Sequence, residues 1–514
     1  MLKNIRIISA AIFFIGITML FLDITGLSHL WLGWMAKIQF LPAILAMNLG
    51  VVGLLIILTL IFGRVYCSVI CPLGVMQDII SWSHGKTKKK NRFRFSFSPA
   101  KNWLRYTLLA IFIIVLAAGA NSIATLVAPY SSYGRIASNL FAPVYRAGNN
   151  LLAWAAERAD SYAFYSTDVW IKSMPTFVIA AATFIIIFIM AWKGGRTYCN
   201  TICPVGTLLG TISRFSLFAP VIDTSKCRSC GLCGRQCKAS CINMKEHRID
   251  YSRCVVCMDC IDICHEGAIK YRFRYGAKHI SEAGEGTSDK VSRNGQANST
   301  KKNGIDSGRR AFMASSAFAA VSLAAKAQEM KTDGGLGFVQ RAAVPKRETR
   351  IVPAGSASIR NFDTHCTACQ LCVSACPNNV LRPSASLATL MQPEMSYERG
   401  YCRPECTKCS EVCPAGAIIA INREEKSSVQ IGHAVVDLSL CVVNTDEVSC
   451  GNCARHCPAG AIRMVHKNPD DKNSLRIPTV NEERCIGCGA CENLCPARPL
   501  TAIHVEGHEV HRTI

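Results

Sequence analysis

Cysteine is the residue that most constrains this chain, which contains 29 cysteines in 514 residues. Most of them fall into runs of the form C-x2-C-x2-C-x3-C, in which three thiols share a tight loop and the fourth points away. Three close thiolates can bind three corners of one iron–sulfur cube, while the fourth reaches a neighbouring cube. Paired C-x2-C units also suit zinc, but tandem four-cysteine runs favour [4Fe-4S] clusters. A secreted disulfide scaffold is excluded by the chain length and these spacings.

Two complete runs lie between residues 218 and 274, the first cysteine-rich domain. The proline that usually follows such a run is replaced by Lys238 and by His265, and Cys241 is an extra thiol that could replace Cys237. If the two runs exchange their fourth cysteines, each cluster receives four thiolates. The predicted ligands are Cys227, Cys230, Cys233 and Cys264 for one cluster, and Cys254, Cys257, Cys260 and Cys237 for the other.

Four further groups lie in residues 362–514, the second cysteine-rich domain. The outer two fit the run fully and the inner two begin with wider spacings, which suggests nested pairing of the first group with the fourth and of the second with the third. Four clusters in a row would form an electron wire, and the expected total for the chain is six [4Fe-4S] clusters. The groups are Cys366, Cys369, Cys372 and Cys376; Cys402, Cys406, Cys409 and Cys413; Cys441, Cys450, Cys453 and Cys457; and Cys485, Cys488, Cys491 and Cys495.

Four apolar stretches are long enough to cross the ~30 Å hydrocarbon core of a bilayer as helices. They cover residues 7–27, 40–62, 106–127 and 176–192. Basic residues crowd the connection 84–105 and flank the first and fourth stretches, whereas the connection 128–175 is mixed in sign. By the positive-inside rule, both ends of this four-helix unit face the cytoplasm and the 128–175 loop faces the periplasm.

An internal repeat places cysteine pairs in this membrane unit. The sequence GRVYCSVICPLG at 63–74 matches GRTYCNTICPVG at 195–206, and each copy follows the second helix of a helix pair. We therefore predict a duplicated hairpin with a C-x3-C-P motif at each cytoplasmic helix end, both cysteines of a motif lying on one helix face. Four soft ligands could hold an additional iron–sulfur cluster or another soft metal, and free or redox-active thiols are the alternative. These residues are Cys67, Cys71, Cys199 and Cys203.

The segment between the two cysteine-rich domains is polar and low in apolar residues. Residues 275–308 are predicted to be a disordered linker. Residues 309–328 begin with Arg309-Arg310, continue into a short apolar run and resemble a twin-arginine export signal or an anchor inside the chain, with a linker helix as the alternative. Residues 329–361 are predicted to be a second linker. A twin-arginine signal would suit a folded domain with its cofactors already inserted.

The predicted fold class is an α-helical membrane unit of four transmembrane helices, residues 1–217, with two α+β ferredoxin-like iron–sulfur domains, residues 218–274 and 362–514. The formal net charge of +22 falls to about +10 when six four-thiolate clusters of about −2 each are included. The basic excess lies beside the apolar stretches and in a linker, so the sequence indicates no nucleic-acid surface. No catalytic acid–base pair, nucleophile triad or phosphate-binding loop is evident in the sequence.

These motifs resemble a known family. The apolar stretches, the two G-R-x-Y-C-x2-I-C-P motifs and the first cysteine-rich domain are similar to the NapH-type membrane ferredoxins, which include quinol dehydrogenase subunits of periplasmic nitrate reductase systems and NosR-like and oxidase-assembly relatives. The twin-arginine stretch with the second cysteine-rich domain resembles a NapG-type periplasmic four-cluster ferredoxin. The chain thus resembles a NapH–NapG fusion, from which the missing prolines after Cys237 and Cys264 and the internal signal depart.

The resemblance implies a multi-pass inner-membrane electron carrier of a quinol dehydrogenase complex, of the kind used in anaerobic respiration. It would pass electrons from menaquinol or ubiquinol through residues 362–514 to a periplasmic reductase or cytochrome, with residues 218–274 on the cytoplasmic side. Because no mid-span His or Met pair indicates haem, a diffusing quinol is expected to bridge the membrane. Tyr130, Tyr133, Arg135 and Tyr145 are a candidate quinol headgroup site or interface anchors.

Two other functions stay open at this point. One is a redox or metal maturation factor for a respiratory oxidase or reductase, which the C-x3-C-P thiols would serve. The other is an electron carrier with both ferredoxin domains in the cytoplasm, supplied by a soluble cytoplasmic donor.

Overall fold

The computed structural model describes residues 2–23, 26–87, 95–275, 332–333, 337–338 and 342–514. The chain forms two units, one made of Met1–Arg274 with Gln340–Ile514 and the other of Tyr275–Val339. In the smaller unit, the described strands Thr332–Asp333 and Gly337–Phe338 pair in antiparallel fashion. The predicted twin-arginine stretch 309–328, and the predicted linker 275–308 apart from Tyr275, lie outside the described residues.

The described residues of 2–213, here called the helical unit, are mainly helical. Two π-helical turns, Tyr66–Ile70 and Ala137–Phe141, interrupt the regular helices. The described helices are α1 Leu2–Leu22, α2 Leu27–Leu32, α3 Trp34–Lys37, α4 Phe40–Leu45, α5 Leu49–Phe62, α6 Pro72–Thr87, α7 Asn102–Ala117, α8 Asn121–Val127, α9 Pro129–Ile136, α10 Ala142–Glu157, α11 Met174–Gly194, α12 Thr197–Thr201 and α13 Pro204–Ser213.

Two of the four stretches predicted as continuous spanning helices are each divided into two helices, so the prediction of continuous helices is wrong for them. Helices α1 and α11, 21 residues each, are long and apolar enough to cross a membrane, whereas α5 and α7 are shorter apolar helices of 14 and 16 residues. The predicted stretch 40–62 divides into α4 and α5 around Met47, and the stretch 106–127 divides into α7 and α8 around Gly119. Both break residues adopt positive φ, which ends regular helix geometry.

The two copies of the repeat begin at equivalent glycines that follow α5 and α11. Gly63 and Gly195 have φ values of 75° and 65°, a region that costs little only for glycine. A Cβ at Gly63 would lie 2.9 Å from Val256 Cγ2, and one at Gly195 would lie 2.5 Å from the Lys238 carbonyl oxygen. Glycine at these positions therefore allows both the sharp turn and the close approach of the first cysteine-rich domain.

The first cysteine-rich domain is a small α+β unit. It consists of two antiparallel strand pairs and two short helices. Each helix carries the third cysteine of its run, Cys233 or Cys260. The elements are the strands Phe218–Ile222, paired with Ile269–Phe273, and Ile242–Asn243, paired with Arg248–Ile249, and the helices Leu232–Gln236 and Asp259–Asp262.

The second cysteine-rich domain combines short helices with antiparallel strand pairs in the same α+β manner. The strand pairs are Leu381–Pro383 with Pro393–Met395, Val429–Val436 with Ile503–Thr513, and Ile462–His466 with Arg476–Val480. The described α-helices are Ile359–His365, Leu371–Ala375, Lys408–Val412, Arg423–Ser428, Val442–Thr445, Asn452–Arg455 and Ala490–Asn493.

The first cysteine-rich domain contacts one end of each of the helices α1, α5, α7 and α11. At the start of α1, Lys3 forms an ion pair of 2.8 Å with Asp262. At the start of α7, Arg105 donates to the Ser252 carbonyl over 3.2 Å. The ends of α5 and α11 are joined to the domain by backbone hydrogen bonds: Leu217 N–H to Leu60 O, 2.8 Å, and Arg196 N–H to Lys238 O, 2.8 Å.

The second cysteine-rich domain contacts the opposite end of the same helices. Helix α1 packs against the helix Leu371–Ala375. Ala46, between α4 and α5, lies against Gly416, and Ser122, just after α7, donates to Ala388 O over 3.1 Å. Before α11, Lys172 donates to Val373 O over 2.5 Å. The helical unit thus separates the two cysteine-rich domains.

Candidate functional site

The first cysteine-rich domain gathers its thiols into two sets. Cys237, Cys254, Cys257 and Cys260 line one cavity together with Cys241. Cys233 lies within electrostatic range of Cys227, Cys230 and Cys264, which form the second set. The structure therefore brings together the same two sets that the sequence spacing predicts.

Cys241 lies beside the candidate ligand Cys237. The two sulfurs are 3.5 Å apart, and Cys241 also hydrogen-bonds Cys254. This hydrogen bond from Cys241 lowers the pKa of Cys237 to about 7 and raises the pKa of Cys241 well above its usual range. Since the thiolate is the form that binds metal, Cys237 is the better ligand of the two.

The second cysteine-rich domain pairs its groups differently from the prediction. Three cysteines of the first group share a cavity with Cys413, the last cysteine of the second group, and the second group takes Cys376 in return. In the third group, Cys453 lies within electrostatic range of Cys495, the last cysteine of the fourth group. The fourth group shares a cavity with Cys457, the last cysteine of the third group. The nested pairing is therefore wrong, because each group exchanges its fourth cysteine with its neighbour in sequence. The resulting sets are Cys366, Cys369, Cys372 and Cys413; Cys402, Cys406, Cys409 and Cys376; Cys441, Cys450, Cys453 and Cys495; and Cys485, Cys488, Cys491 and Cys457.

The first two cysteine groups of this domain contact the last two through the backbone of two cysteines. The Cys402 N–H donates to the Cys488 carbonyl over 2.9 Å. Tyr397, fully buried between these groups, donates through Oη to Gly487 O over 2.6 Å. The second set thus adjoins the set that contains Cys488, which in turn adjoins the set of Cys441 and Cys495.

The spacing of the thiols bears on the zinc alternative. Among the residues that the structure describes, no three Cys, His, Asp or Glu side chains are placed to hold a single ion. Zinc draws four ligands to about 2.3 Å from one centre, whereas an iron–sulfur cube holds its thiolates around a larger body. The spacings of the cysteines in the runs, rather than the positions of the sulfurs, favour the cube.

The two C-x3-C-P motifs meet inside the helical unit. Cys67, Cys71, Cys199 and Cys203 are each only 4% exposed and lie within electrostatic range of one another. The motifs do not occupy one face of a long helix as predicted. Instead, Cys71 and Cys203 immediately precede α6 and α13, and the following proline stands at the first helical position, where its missing N–H costs nothing.

Two arginines that the sequence analysis did not single out surround these thiols. Arg64 and Arg196 are fully buried and stand three positions before Cys67 and Cys199 in the repeat. Arg64 Nη2 lies 3.7 Å from Cys67 Sγ, and Arg196 Nη1 lies 3.8 Å from Cys199 Sγ. Their occurrence in both copies of G-R-x-Y-C is the signal that could have identified them.

Helix N-termini add further positive polarity to the same place. The Cys203 sulfur accepts a hydrogen bond of 3.3 Å from Gly206 N–H in the first turn of α13, and the Gly74 N–H of α6 is bonded to Cys71 in the same manner. The unpaired N–H groups and the dipole of a helix N-terminus favour an anion. Gln77 of α6 also donates to Cys199 Sγ over 3.3 Å.

Asp78 joins the helical unit to the first cysteine-rich domain. This buried carboxylate accepts two hydrogen bonds from Arg196, at 2.7 and 2.8 Å. It also pairs with Arg6 of α1 at 3.1 Å and with Lys238 of the first cysteine-rich domain at 3.3 Å. Asp78 therefore offsets the charge of Arg196, whereas within the described part of the chain Arg64 has only neutral and thiol partners.

The predicted headgroup residues lie elsewhere than expected. Tyr130, Tyr133 and Arg135 are at most 2% exposed, and only Tyr145 is well exposed. Arg135 donates to the carbonyls of Thr125 and Leu126 within its own helical unit. The first three are therefore neither interface anchors nor an accessible headgroup site, because they pack between the C-x3-C-P thiols and the second cysteine-rich domain.

A polar cavity opens beside the second cysteine-rich domain instead. It is lined by α10, by the segment that carries Trp170 and Lys172, and by Ser374, which lies two residues before Cys376. Burial, with a smaller effect from the charge of Arg146, lowers the pKa of Lys172 to about 8. The cavity therefore holds an amine that can be neutral near physiological pH.

Comparison with known proteins identifies the class of these sites. A family model described as a 4Fe-4S binding domain matches residues 44–90 and 176–220, the two copies of the repeat. A second, described as a 4Fe-4S dicluster domain, matches residues 365–442 and 448–498 of the second cysteine-rich domain, with Cys441 at the end of the first match. The expected [4Fe-4S] binding is thus confirmed for the second cysteine-rich domain, and the first model gives the same description for the two copies of the repeat. The chain is an iron–sulfur electron-transfer protein.

Its relatives agree with that class. The chain is 25% identical over 248 residues to the ferredoxin-type protein NapH of Escherichia coli, covering 46% of this chain and 72% of NapH. It is 24% identical over 233 residues to the putative electron transport protein YccM of the same organism, covering 44% and 55%. The methylamine utilization ferredoxin-type protein MauN of Methylobacillus flagellatus is 21% identical over 265 residues, covering 48% and 80%. The match thus spans only about half of YccM. No solved structure matches the chain.

Proposed function

We propose that this protein is a membrane-bound electron carrier that takes electrons from the quinol pool and delivers them through the second cysteine-rich domain to a periplasmic reductase or cytochrome. The observation that carries the proposal is the attachment of the two cysteine-rich domains to opposite ends of helices α1, α5, α7 and α11. If those helices cross the membrane, one domain lies on each side of it.

The surface of the four helices supports a membrane location. Large apolar side chains on each of them are exposed, among them Ile8 on α1, Leu54 on α5, Ile114 on α7 and Ile186 on α11, each at least 55% exposed. A soluble protein rarely leaves such a continuous apolar surface in water. Lipid would cover it, and α4 and α8 would extend the two shorter helices across the bilayer.

The charge of the connections supports the orientation. The connection 84–105 contains seven Lys or Arg residues besides Arg105. Its described residue Phe95 donates through its backbone N–H to Arg235 O of the first cysteine-rich domain over 3.0 Å. The 128–175 connection is mixed in sign. The positive-inside rule then assigns the first cysteine-rich domain to the cytoplasm and the second to the periplasm. A twin-arginine signal at 309–328 would provide the export route for the second domain.

The six thiol sets of the two domains would each hold one [4Fe-4S] cluster. Each set supplies four thiols, the number that a cube requires, and the loop amides that surround a set would offset the cluster's negative charge. In the second domain the sets follow one another in space from the one containing Cys369, beside the helical unit, to the one containing Cys441. This order makes the set of Cys441 the point where electrons would leave for a partner.

The cavity beside Lys172, with a volume of about 20 Å³, is the proposed place where a quinol headgroup would bind by widening it. It lies where the helical unit meets the second cysteine-rich domain, and Lys172 Nζ is bonded to Val373 O, next to Cys372. Oxidation of a quinol releases two protons and two electrons. A neutral Lys172 amine would accept one proton while the adjacent cluster takes one electron. After that proton has passed to water and that electron to the next cluster, the same two groups would accept the second proton and the second electron.

The burial of the C-x3-C-P thiols bears on the maturation alternative. A factor that hands metal to a partner needs ligands that the partner can reach, whereas these four thiols are 4% exposed. An electron, unlike a metal ion, can enter and leave a buried centre. Electron transfer therefore accounts for the arrangement better than metal delivery does.

Protease accessibility of a C-terminal tag in intact spheroplasts tests the orientation. The chain ends after the strand Ile503–Thr513 at Ile514, which is 61% exposed, so a tag there would be accessible. We expect digestion from outside, and quinol-dependent bleaching of the cluster absorbance in the purified protein. A tag protected until the membrane is broken would contradict the periplasmic location and favour the cytoplasmic alternative.

A further inference from the structure

The helical unit contains a seventh set of four thiols, formed jointly by the two copies of the repeat. We propose that Cys67, Cys71, Cys199 and Cys203 bind one shared [4Fe-4S] cluster, which carries electrons across the membrane between the two cysteine-rich domains. This inference rests on the proposed function, which places the helical unit in the membrane. It adds a fixed path for electrons between the two cysteine-rich domains.

The donor set defines the stoichiometry. Each repeat contributes only two cysteines, and a cube with four protein ligands needs four. Two cysteines from each copy meet in one buried place, so the two repeats form one site rather than two. A duplicated hairpin whose halves face each other gives this arrangement directly.

The charges around the thiols call for an anion. Arg64 is fully buried, and within the described residues its partners are Asn200 Oδ1, the carbonyls of Ser252 and Cys199, and the Cys67 sulfur. A buried cation without an opposite charge is strongly destabilising. A four-thiolate cluster carries about −2 overall. Arg64 and the N-termini of α6 and α13 would offset that charge.

The thiol site adjoins the first cysteine-rich domain through short polar contacts. Asn200, next to Cys199, donates to Ala239 O over 3.2 Å, and Ala239 lies two residues after Cys237. Arg64 donates to Ser252 O over 3.2 Å, and Ser252 lies two residues before Cys254. The Arg64 guanidinium also lies within electrostatic range of the Cys254 thiol. The set of Cys237 and Cys254 is therefore the neighbouring cluster on this side.

Aromatic residues connect the site to the second cysteine-rich domain. Tyr66, the residue before Cys67, lies within electrostatic range of Tyr130, and Tyr130 lies within range of Cys369 and Cys413. Helix α9, which carries Tyr130, approaches so closely that a side chain at Gly134 would collide with the Cys369 carbonyl. The path from Cys67 to Cys369 is filled by buried side chains.

Each step along this path moves one electron and no proton. A reduced cluster of the first domain loses one electron, the shared cluster gains it, and the cluster held by Cys366, Cys369, Cys372 and Cys413 then takes it. No quinol has to diffuse between the domains, contrary to the expectation from sequence. A one-electron donor on the side of the exposed Cys230 could thus supply the periplasmic clusters directly.

Iron content tests the cluster. The full-length protein should contain about 28 iron atoms, seven cubes of four. We expect Cys67→Ser with Cys199→Ser to lose about four of them. Ser68→Ala, a buried neighbour in the same motif, is the matched control and should lose none. Unchanged iron in the double cysteine variant, with the same electron paramagnetic resonance spectrum, would overturn the shared cluster.

Electron transfer across a vesicle membrane tests the path. The full-length protein is placed in quinone-free vesicles with ferricyanide inside and a membrane-impermeant reductant outside. We expect the wild type and Ser68→Ala to reduce ferricyanide, and the double cysteine variant to fall to the rate of protein-free vesicles. Quinol reduction of the C-terminal clusters should persist in that variant, which shows that it is folded.

The outcomes separate this inference from the proposed function. Wild-type transfer that requires added menaquinone, or transfer that survives in the cysteine variant, would overturn the fixed path and leave the quinol function intact. Transfer without any quinol-dependent cluster reduction would contradict the quinol function and leave the path intact. Should the cysteine variant fail to assemble, Arg64→Met retains all four thiols and is expected to slow transfer at unchanged iron content, and an undiminished rate would overturn the path.

Discussion

The guanidinium of Arg64 donates a hydrogen bond to the carbonyl oxygen of Cys199, 3.2 Å away and 135 positions later in the sequence. Arg196 makes the reciprocal bond to Cys67 O at 2.7 Å. Each repeat therefore fixes the cysteine backbone of the other. The two arginines differ in one respect, because Asp78 neutralises Arg196 while the described residues give Arg64 no carboxylate.

This difference predicts the effect of Arg64→Met on the shared cluster. Reduction adds a negative charge to the cluster, and a nearby buried cation stabilises the reduced form more than the oxidised form. Loss of the cation should therefore lower the midpoint potential of this cluster, as measured by potentiometry followed with electron paramagnetic resonance. Arg105→Met is the control, since Arg105 is equally buried and bonds the same Ser252 carbonyl without touching a thiol. Equal shifts in both variants would contradict the assignment.

The pairing of groups in the second cysteine-rich domain predicts a non-additive loss of iron. Cys366 and Cys413 belong to one set, so Cys366→Ser with Cys413→Ser should lose about four iron atoms, no more than complete loss of one cube. Cys366→Ser with Cys495→Ser affects two sets and should lose about eight. The reverse pattern in iron analysis would restore the nested pairing.

Sequence spacing was sufficient for the ferredoxin sets of residues 218–274 because both runs are complete and only two groups are present. It failed for the second domain because any last cysteine fits any neighbouring loop by spacing. The choice depends on which groups pack together, and the contact between Cys402 and Cys488 is set by the tertiary fold. The widened spacings of the inner groups carry no information about pairing.

The helical unit shows the same limit for different physical reasons. Apolar runs located α1 and α11, because a hydrophobic stretch is a local property, but the predicted stretch 7–27 lies five residues later than α1 at both ends. They did not reveal the breaks at Met47 and Gly119, because apolar composition continues through them. Arg64 was visible in the repeat, but its role depends on burial against the other repeat, which spacing does not report.

Lys172 is predicted to act in quinol oxidation. Its pKa of about 8 means that the amine becomes neutral, and able to accept a proton, as pH rises through that value. The rate of quinol-dependent cluster reduction in the wild type should therefore rise between about pH 7 and 9. Lys172→Met should lower the rate and remove this rise, while reduction by dithionite stays unchanged.

Lys193→Met is the control for that measurement. Lys193 stands in the last turn of α11, at the end attached to the first cysteine-rich domain and far from the cavity. It should leave both the rate and its pH dependence as in the wild type. A Lys172→Met protein that keeps the wild-type pH profile would show that the headgroup binds elsewhere.

Asp78 is predicted to be the residue whose loss most weakens the attachment of the first cysteine-rich domain. Asp78→Asn leaves Arg196, Lys238 and Arg6 without their shared carboxylate, and breaking such a buried network costs about 3–5 kcal/mol. The exposed pair of Lys3 with Asp262 offers a matched comparison, since Asp262→Asn should cost about 0–1 kcal/mol. Thermal loss of cluster absorbance in detergent should therefore begin at a clearly lower temperature in Asp78→Asn only. Similar melting of the two variants would mean that apolar packing, rather than this ion network, holds the domain to the helices.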